Sequence, residues 1–239
     1  LTKIALALNV ADPDRALEWL GRIGTKVDCY KLQMDLFGRA GPDLVRRFVA
    51  DGVEVFLDLK FHDIPSVVAA SVSAAGEMGV RLLTVHATGG AKMMAEAAKA
   101  SAAFGEKRPL VLGVTILTSL DEAELERVTG SSQPVEERVL ALARLAKESG
   151  CDGIVCSPHE IRAVKETCGK EFVVVAPGIR LGARGEGRGT KDDQARTLTP
   201  AEAAQAGADY IVVGRPIYQA PDPLAAIAEI REQLAVGNH

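Results

Sequence analysis

Residues 54–79 read EVFLDLKFHDIPSVVAASVSAAGEMG, and this stretch decides the fold. Its first half, from Glu54 to Lys60, is an apolar run rich in valine, leucine and phenylalanine, the signature of a strand buried on both faces. Its second half starts at Pro65, runs through small apolar residues with helical spacing and stops at Gly79. A doubly buried strand followed by a helix is one unit of a parallel sheet covered by helices. Side chains alternate along a strand, so Asp58 and Lys60 share a face, and Asp63 follows just beyond the strand end. Charge at the tip of a hydrophobic run is costly unless it is paired or meets a polar ligand, which makes this tip a candidate site.

The same unit recurs along the chain. Apolar runs IALAL, CYKLQ, VFLDLK, LLTVHA, LVLGVTI, GIVCS, FVVVAPGI and YIVVGR alternate with amphipathic segments such as DPDRALEWLGRI, GPDLVRRFVA, GAKMMAEAAKASAAF, PVEERVLALARLAKESG, PHEIRAVKETC, TPAEAAQAG and DPLAAIAEIREQLA. Eight such units in 239 residues fit a single-domain (β/α)8 TIM barrel spanning residues 1–239. A doubly wound open sheet is the rival, but no GxGxxG follows the first strand. Polar residues also stand at nearly every strand tip: Asn9, Lys31, Asp58 with Lys60, His86 with Thr88, Thr115, Ser157, Gly178 with Arg180, and Gly214 with Arg215. A barrel gathers all of these at one mouth.

Composition narrows the function classes. A net charge of −4 without a basic stripe argues against a nucleic-acid partner. No apolar stretch reaches membrane-spanning length, and the opening LTKIALALNV lacks the pattern of a secretion signal, so a soluble, cytoplasmic protein without a membrane partner is expected. Cys29, Cys151, Cys156 and Cys168 have neither CxxC spacing nor neighbouring histidines and read as buried thiols, not as zinc ligands or disulfides.

At the mouth, the barrel aims Lys31 from the second strand at Asp58 and Lys60 on the third. Opposite charges that alternate hold one another ionised. A single such pair reads as a structural ion pair; the gathering of several charges from adjacent strands reads as chemistry. Asp63 is explained as well by an N-cap before a proline-initiated helix as by a catalytic role. His62 reads as a packed histidine, and His86 has no partner that sequence names. Pro177, Gly178 and Arg180 after strand seven, with Gly214 and Arg215 after strand eight, fit the place where barrels hold phosphate: glycine admits backbone N–H groups and arginine offers a planar fork. LGARGEGRGTKDDQ, residues 181–194, reads as a loop able to close over the ligand.

With these residues in hand, the chain resembles the orotidine 5′-phosphate decarboxylases over nearly its whole length. The motifs that carry the resemblance are DLKFHDIP, VHATGGAKMM, LTS at Thr118, DGIVCS, PGIR at 177–180 and VVGRPI. The resemblance implies decarboxylation of orotidine 5′-monophosphate to uridine 5′-monophosphate without metal or cofactor, in pyrimidine biosynthesis. It makes Lys60 the proton donor, Asp58 and Asp63 the carboxylates of a charged network, and Lys31 its other cation. It gives Thr118 a contact to the pyrimidine and Gln194 and Arg215 contacts to the phosphate. It also implies a homodimer in which Asp63 enters the neighbouring subunit's site.

Two positions depart from the family pattern. Asn9 stands where an aspartate meets a ribose hydroxyl and the nearby lysine, which removes one negative charge from the clamp on Lys31. Val67 stands where threonine is frequent. A third difference, Gln33 for a usual glycine, reads as local variation. Activity is expected, because Asp58, Lys60 and Asp63 are in place. The alternatives are a magnesium-dependent sugar-phosphate enzyme with a similar acid and lysine set, a Schiff-base aldolase using Lys60, and a nucleotide-binding barrel silenced by Asn9.

Overall fold

The computed structural model describes residues 1–182 and 197–238. Among them, eight strands, β1 (Lys3–Ala7), β2 (Cys29–Gln33), β3 (Glu54–Phe61), β4 (Leu82–His86), β5 (Leu110–Val114), β6 (Gly153–Val155), β7 (Val173–Ala176) and β8 (Tyr210–Val213), close into a parallel barrel in sequence order. Ten described helices intervene or follow: α1 (Pro13–Ile23), α2 (Met34–Ala50), α3 (Pro65–Glu77), α4 (Ala91–Ala102), α5 (Glu122–Thr129), α6 (Val135–Glu148), α7 (Ile161–Cys168), α8 (Pro200–Ala206), α9 (Arg215–Tyr218) and α10 (Pro223–Gly237). The closed order, with β1 paired to both β2 and β8, excludes the open doubly wound sheet.

Strand alternation divides the core into two layers. Ala5, Cys29, Phe56, Leu82, Leu112, Val175 and Tyr210 fill the barrel interior. Their sequence neighbours Leu6, Tyr30, Leu57 and Leu83 point outward and pack with helix residues such as Leu20, Phe48, Met94 and Ile230. Both faces of each strand are therefore dry, which is why the strands read as continuous apolar runs. Above the apolar plug, the inward positions turn polar: Lys31, Asp58, Lys60 and Thr84.

Besides the one-turn α9, two helical features escape the sequence pattern. α2 begins at Met34, ahead of the expected GPDLVRRFVA segment, and is broken at Gly41, whose φ of 65° and following Pro42 restart the helix. α5 has no counterpart in the sequence pattern; it buries only Leu125, so its apolar period is faint, and its ends are set by Asp121 capping Glu124 N–H and by left-handed Gly130. No described helix is long and apolar enough to cross a membrane.

Barrel closure demands a glycine on β6. A Cβ at Gly153 would fall onto the carbonyl oxygen of Val173 on β7. Gly153→Ala is therefore expected to destabilise the barrel by about 2–3 kcal/mol through overpacking, seen as a Tm drop of about 5 °C or more; an unchanged Tm would mean that β6 and β7 separate at no cost.

Candidate functional site

A cavity of about 630 Å³ opens at the C-terminal ends of the strands. Its described lining carries four cationic side chains, Lys31, Lys60, Arg180 and Arg215, against a single carboxylate, Asp58. Such a cup favours an anionic ligand.

Asp58 is the centre of one wall. Its Oδ2 accepts from Lys31 Nζ at 3.0 Å, and its Oδ1 accepts from Lys60 Nζ at 2.8 Å and from the Thr84 hydroxyl at 3.0 Å. The Asp58 and Lys31 side chains are only 11 % and 9 % exposed, whereas Lys60 is 35 % exposed and faces the opening. Burial alone would raise the Asp58 carboxyl; the charges and hydrogen bonds of Lys31 and Lys60 outweigh it and hold the group below the usual carboxylate range.

Local backbone strain aims Lys60. Among the described residues it is the one non-glycine with positive φ, at 52°, and the β3–β4 register shifts between Leu57 and Phe61 around it. A left-handed conformation costs a lysine about 1–2 kcal/mol. The bulge is held by Thr84, whose hydroxyl accepts the Lys60 N–H at 2.9 Å while donating to Asp58. Strand alternation alone thus gives the right side for Lys60 but not its conformation.

The opposite wall is built by the last two strands. Pro177, Gly178, Arg180, Gly214 and Arg215 all line the cavity. Gly178 has φ of 84°, and the Gly178–Leu198 and Arg180–Leu198 backbone hydrogen bonds fix its turn. At Gly214 a Cβ would press on the Ala7 carbonyl at 3.2 Å and on Tyr218, so glycine lets the end of β8 close against β1. Thr118 and Asn9 also line the cavity. Gln194 and most of the proposed covering loop, residues 183–194, lie outside the described residues.

Two readings change, the capping role of Asp63 and the local-variation reading of Gln33, and Asp63 and Val67 both lie off their own chain's described cavity lining. Asp63 does not join its own chain's charged wall: it is exposed, stands outside the cavity lining, and accepts the Ile64 N–H at 2.6 Å. Nor does it cap α3, whose N-cap is Ile64, one residue later. Gln33 is more than local variation, because it lines the cavity and its Oε1 accepts from Lys31 Nζ at 2.9 Å. Val67 is 43 % exposed on the first turn of α3 and is absent from the cavity lining.

Thr84 and Gln33 are the site residues that sequence reading missed. Thr84 was visible only as a polar residue inside the apolar run LLTVH, two positions from the strand end. His62 and His86 pack with ring centroids 5.2 Å apart beside this wall. Burial, then His62 and Lys60, push His86 below the ordinary imidazole range, with Asp58 opposing. Among the described residues no group of three or more His, Cys, Asp or Glu is placed to hold a metal ion, and all four cysteines are buried.

The arrangement speaks against one of the rival chemistries. A Schiff-base lysine must be neutral to attack, and Lys60 is held by a carboxylate at 2.8 Å.

Comparison with known proteins points to one family. Residues 2–230 match the family model described as orotidine 5′-phosphate decarboxylase / HUMPS family. The chain is 44 % identical over 232 residues to orotidine 5′-phosphate decarboxylase of Pseudoalteromonas translucida, covering 97 % of each sequence. It is 47 % identical over 237 residues to that of Syntrophotalea carbinolica, covering 98 % of this chain and 95 % of the relative. The crystal structure of orotidine 5′-phosphate decarboxylase from Lactobacillus acidophilus superposes with a TM-score of 0.85 at 35 % identity, covering 98 % of this chain and 99 % of the other.

The Asp58 wall has a pH signature. Because its folded pKa is depressed, Asp58 contributes stability above the unfolded carboxylate value near pH 4 and loses it as pH falls through the lower folded value. Asp58→Asn, which leaves two lysines without their shared anion, is expected to cost about 3 kcal/mol in urea unfolding, equally from pH 5 to 8, with the gap closing only below about pH 4. A gap that closed near pH 6 would contradict the assignment.

Proposed function

The chain belongs to the orotidine 5′-phosphate decarboxylase / HUMPS family, and on that premise we propose that it is a carboxy-lyase converting orotidine 5′-monophosphate to uridine 5′-monophosphate. The reaction proceeds in this reading without metal or cofactor, with the whole chain as one catalytic domain. The observation that carries the proposal is Lys60: a cation on a strained backbone, tied to a buried carboxylate, at the floor of a cavity whose far wall holds Arg180 and Arg215.

Loss of carbon dioxide leaves an electron pair at C6 in the plane of the pyrimidine, where no adjacent carbonyl absorbs it. The C6–carboxylate bond breaks, carbon dioxide departs, and the pair takes a proton from the Lys60 ammonium, which regains one from water. Asp58, kept ionised by its two lysines, stands beside the substrate carboxylate, and the repulsion between them falls as the carboxylate leaves. Arg215, Arg180 and the backbone at Gly178 and Gly214 hold the phosphate, together with Gln194. Thr118 meets the pyrimidine, and Asn9 and Lys31 the ribose. Binding energy gathered at the phosphate end thus holds the reacting end against Lys60.

The active unit in this reading is a homodimer to which each subunit lends Asp63. The exposure of that carboxylate supports it, as do large apolar side chains left exposed on segments that follow strand ends: Met34, Ile64, Val67 and Leu117. Four buried cysteines outside any described disulfide suit a reducing, cytoplasmic setting.

Lys60→Ala is expected to lower turnover by at least about a thousandfold while uridine 5′-monophosphate affinity stays within about threefold of the parent. The parent should work equally in EDTA; loss of activity on chelation would return the magnesium reading, and nucleotide binding without turnover would favour a silent binding barrel. Arg215→Ala should raise KM by about tenfold or more. The shared site has its own test: equal mixtures of Lys60→Ala and Asp63→Ala subunits, each inactive alone, should recover about a quarter of the parent rate once exchanged, since half the dimers then hold one intact site. No recovery would place Asp63 outside the partner's site.

A further inference from the structure

Lys31 has more work than its pairing with Asp58 explains. An ammonium has three donors. Among the described residues, Asp58 Oδ2 takes one at 3.0 Å and Gln33 Oε1 takes a second at 2.9 Å, on a side chain that is 9 % exposed and lines the cavity. With two donors fixed by acceptors on β2 and β3, the third is left for the cavity. The lysine donor also settles the orientation of the Gln33 amide: its oxygen faces Lys31, and its NH2 makes no hydrogen bond among the described residues.

Position 33 stands beside position 9. β1 and β2 run in register with Ala7 beside Lys31, and the Leu8 N–H reaches the Lys31 carbonyl at 3.2 Å. Two residues on from that pair are Asn9 and Gln33, both lining the cavity, and Gln33 is in turn level with Asp58 on β3. An acid at position 9 would offer Lys31 a charged acceptor from the β1 side. Asn9 offers only a neutral amide, while Gln33 supplies a neutral acceptor from its own strand.

We propose that Gln33 is a positioning residue: with a neutral side chain at position 9, it immobilises the Lys31 ammonium against Asp58 so that the remaining donor meets a ligand hydroxyl, and its role is interchangeable with that of an acid at position 9. This rests on the nucleotide reading above. Its energetic mark is a coupling between positions 9 and 33 that passes through Lys31, whereas two independent contacts would add.

The test is a cycle of four proteins: the parent, Gln33→Ala, Asn9→Asp and the double variant. For each, uridine 5′-monophosphate affinity is measured by calorimetry, and kcat and KM for orotidine 5′-monophosphate by ultraviolet absorbance. Gln33→Ala alone should weaken nucleotide binding and raise KM by about tenfold, the scale of a hydrogen bond to a charged group, with kcat within about threefold. In the Asn9→Asp background the same change should cost less than about threefold. Equal losses in both backgrounds, or no loss in the parent, would overturn the proposal, as would a loss confined to kcat. Gln33→Met, of similar length but without the acceptor, should reproduce the loss and decides the matter if the alanine variant fails to fold. A parent that binds uridine 5′-monophosphate without turning over the substrate would sink the decarboxylase reading and leave the affinity cycle to judge Gln33. Turnover with additive affinities would sink the Gln33 proposal and spare that reading, and a parent that neither binds nor turns over would end both.

Discussion

Everything at the mouth of this barrel is arranged around one buried carboxylate. Asp58 ends an apolar run and is nearly out of water, a position that would drive the group to its neutral form. Three donors from three places reverse that: Lys31 from β2, Lys60 from the bulged end of β3, and the Thr84 hydroxyl from β4. None reaches Asp58 unless the strands hold their register, so the pairing of Gln33 with Asp58 and the shift between Leu57 and Phe61 belong to the chemistry as much as to the sheet. The strain at Lys60 follows from the same constraint. A regular strand would carry its backbone N–H to the β4 ladder; the left-handed turn hands it to Thr84, and the ammonium can then bond Asp58 and still face the opening.

Thr84 also shows why the polar cluster needs an apolar floor. Beneath it, Phe56, Leu82 and Cys29 seal the barrel interior, which keeps water from reaching Asp58 from below. In that dry setting each ion pair gains strength, while loss of any one partner exposes the desolvation cost of the others. The wall across the cavity has a different logic. There the backbone comes close, through the positive φ at Gly178 and the missing Cβ at Gly214, and the charge is carried by arginines. One wall holds its cations against a shared carboxylate; the other presents planar guanidinium groups, a geometry suited to multidentate recognition of an anion.

The barrel was largely legible because doubly buried strands leave runs such as VFLDLK and YIVVGR, and because glycine or proline marks most helix ends. What eluded the pattern was short or half-exposed: α5 with one buried leucine, and the first part of α2 ahead of Gly41. The site divides in the same way. Residues that carry charge at strand tips, Lys31, Asp58, Lys60, Arg180 and Arg215, announce themselves, since charge beside an apolar run needs a reason. Thr84 and Gln33 act through geometry, one from inside a strand and the other through a reach across to Lys31, and uncharged residues leave no such mark. Asp63 is the opposite case: its DIP context reads as a helix cap, yet the helix begins one residue too late for it, and it stands outside its own chain's described cavity lining.

The charge balance of the cavity gives the neutral rim its meaning. In the described lining, four cations against one acid make a strong attraction for an anionic ligand, but attraction alone does not orient. A flexible lysine in a positive cup swings toward whichever anion arrives, and the energy gained is then spent on the ground state. Orientation comes from short, neutral or opposite-charged acceptors that leave the lysine one direction for its last proton. On β2 and β3 those acceptors are Gln33 and Asp58, held level by the strand register that closes the barrel. The same hydrogen bonds that assemble the fold thus decide where the cavity's charge points, so a neutral residue at position 9 leaves the cation count unchanged while shifting the burden of aiming Lys31 onto its neighbour at 33.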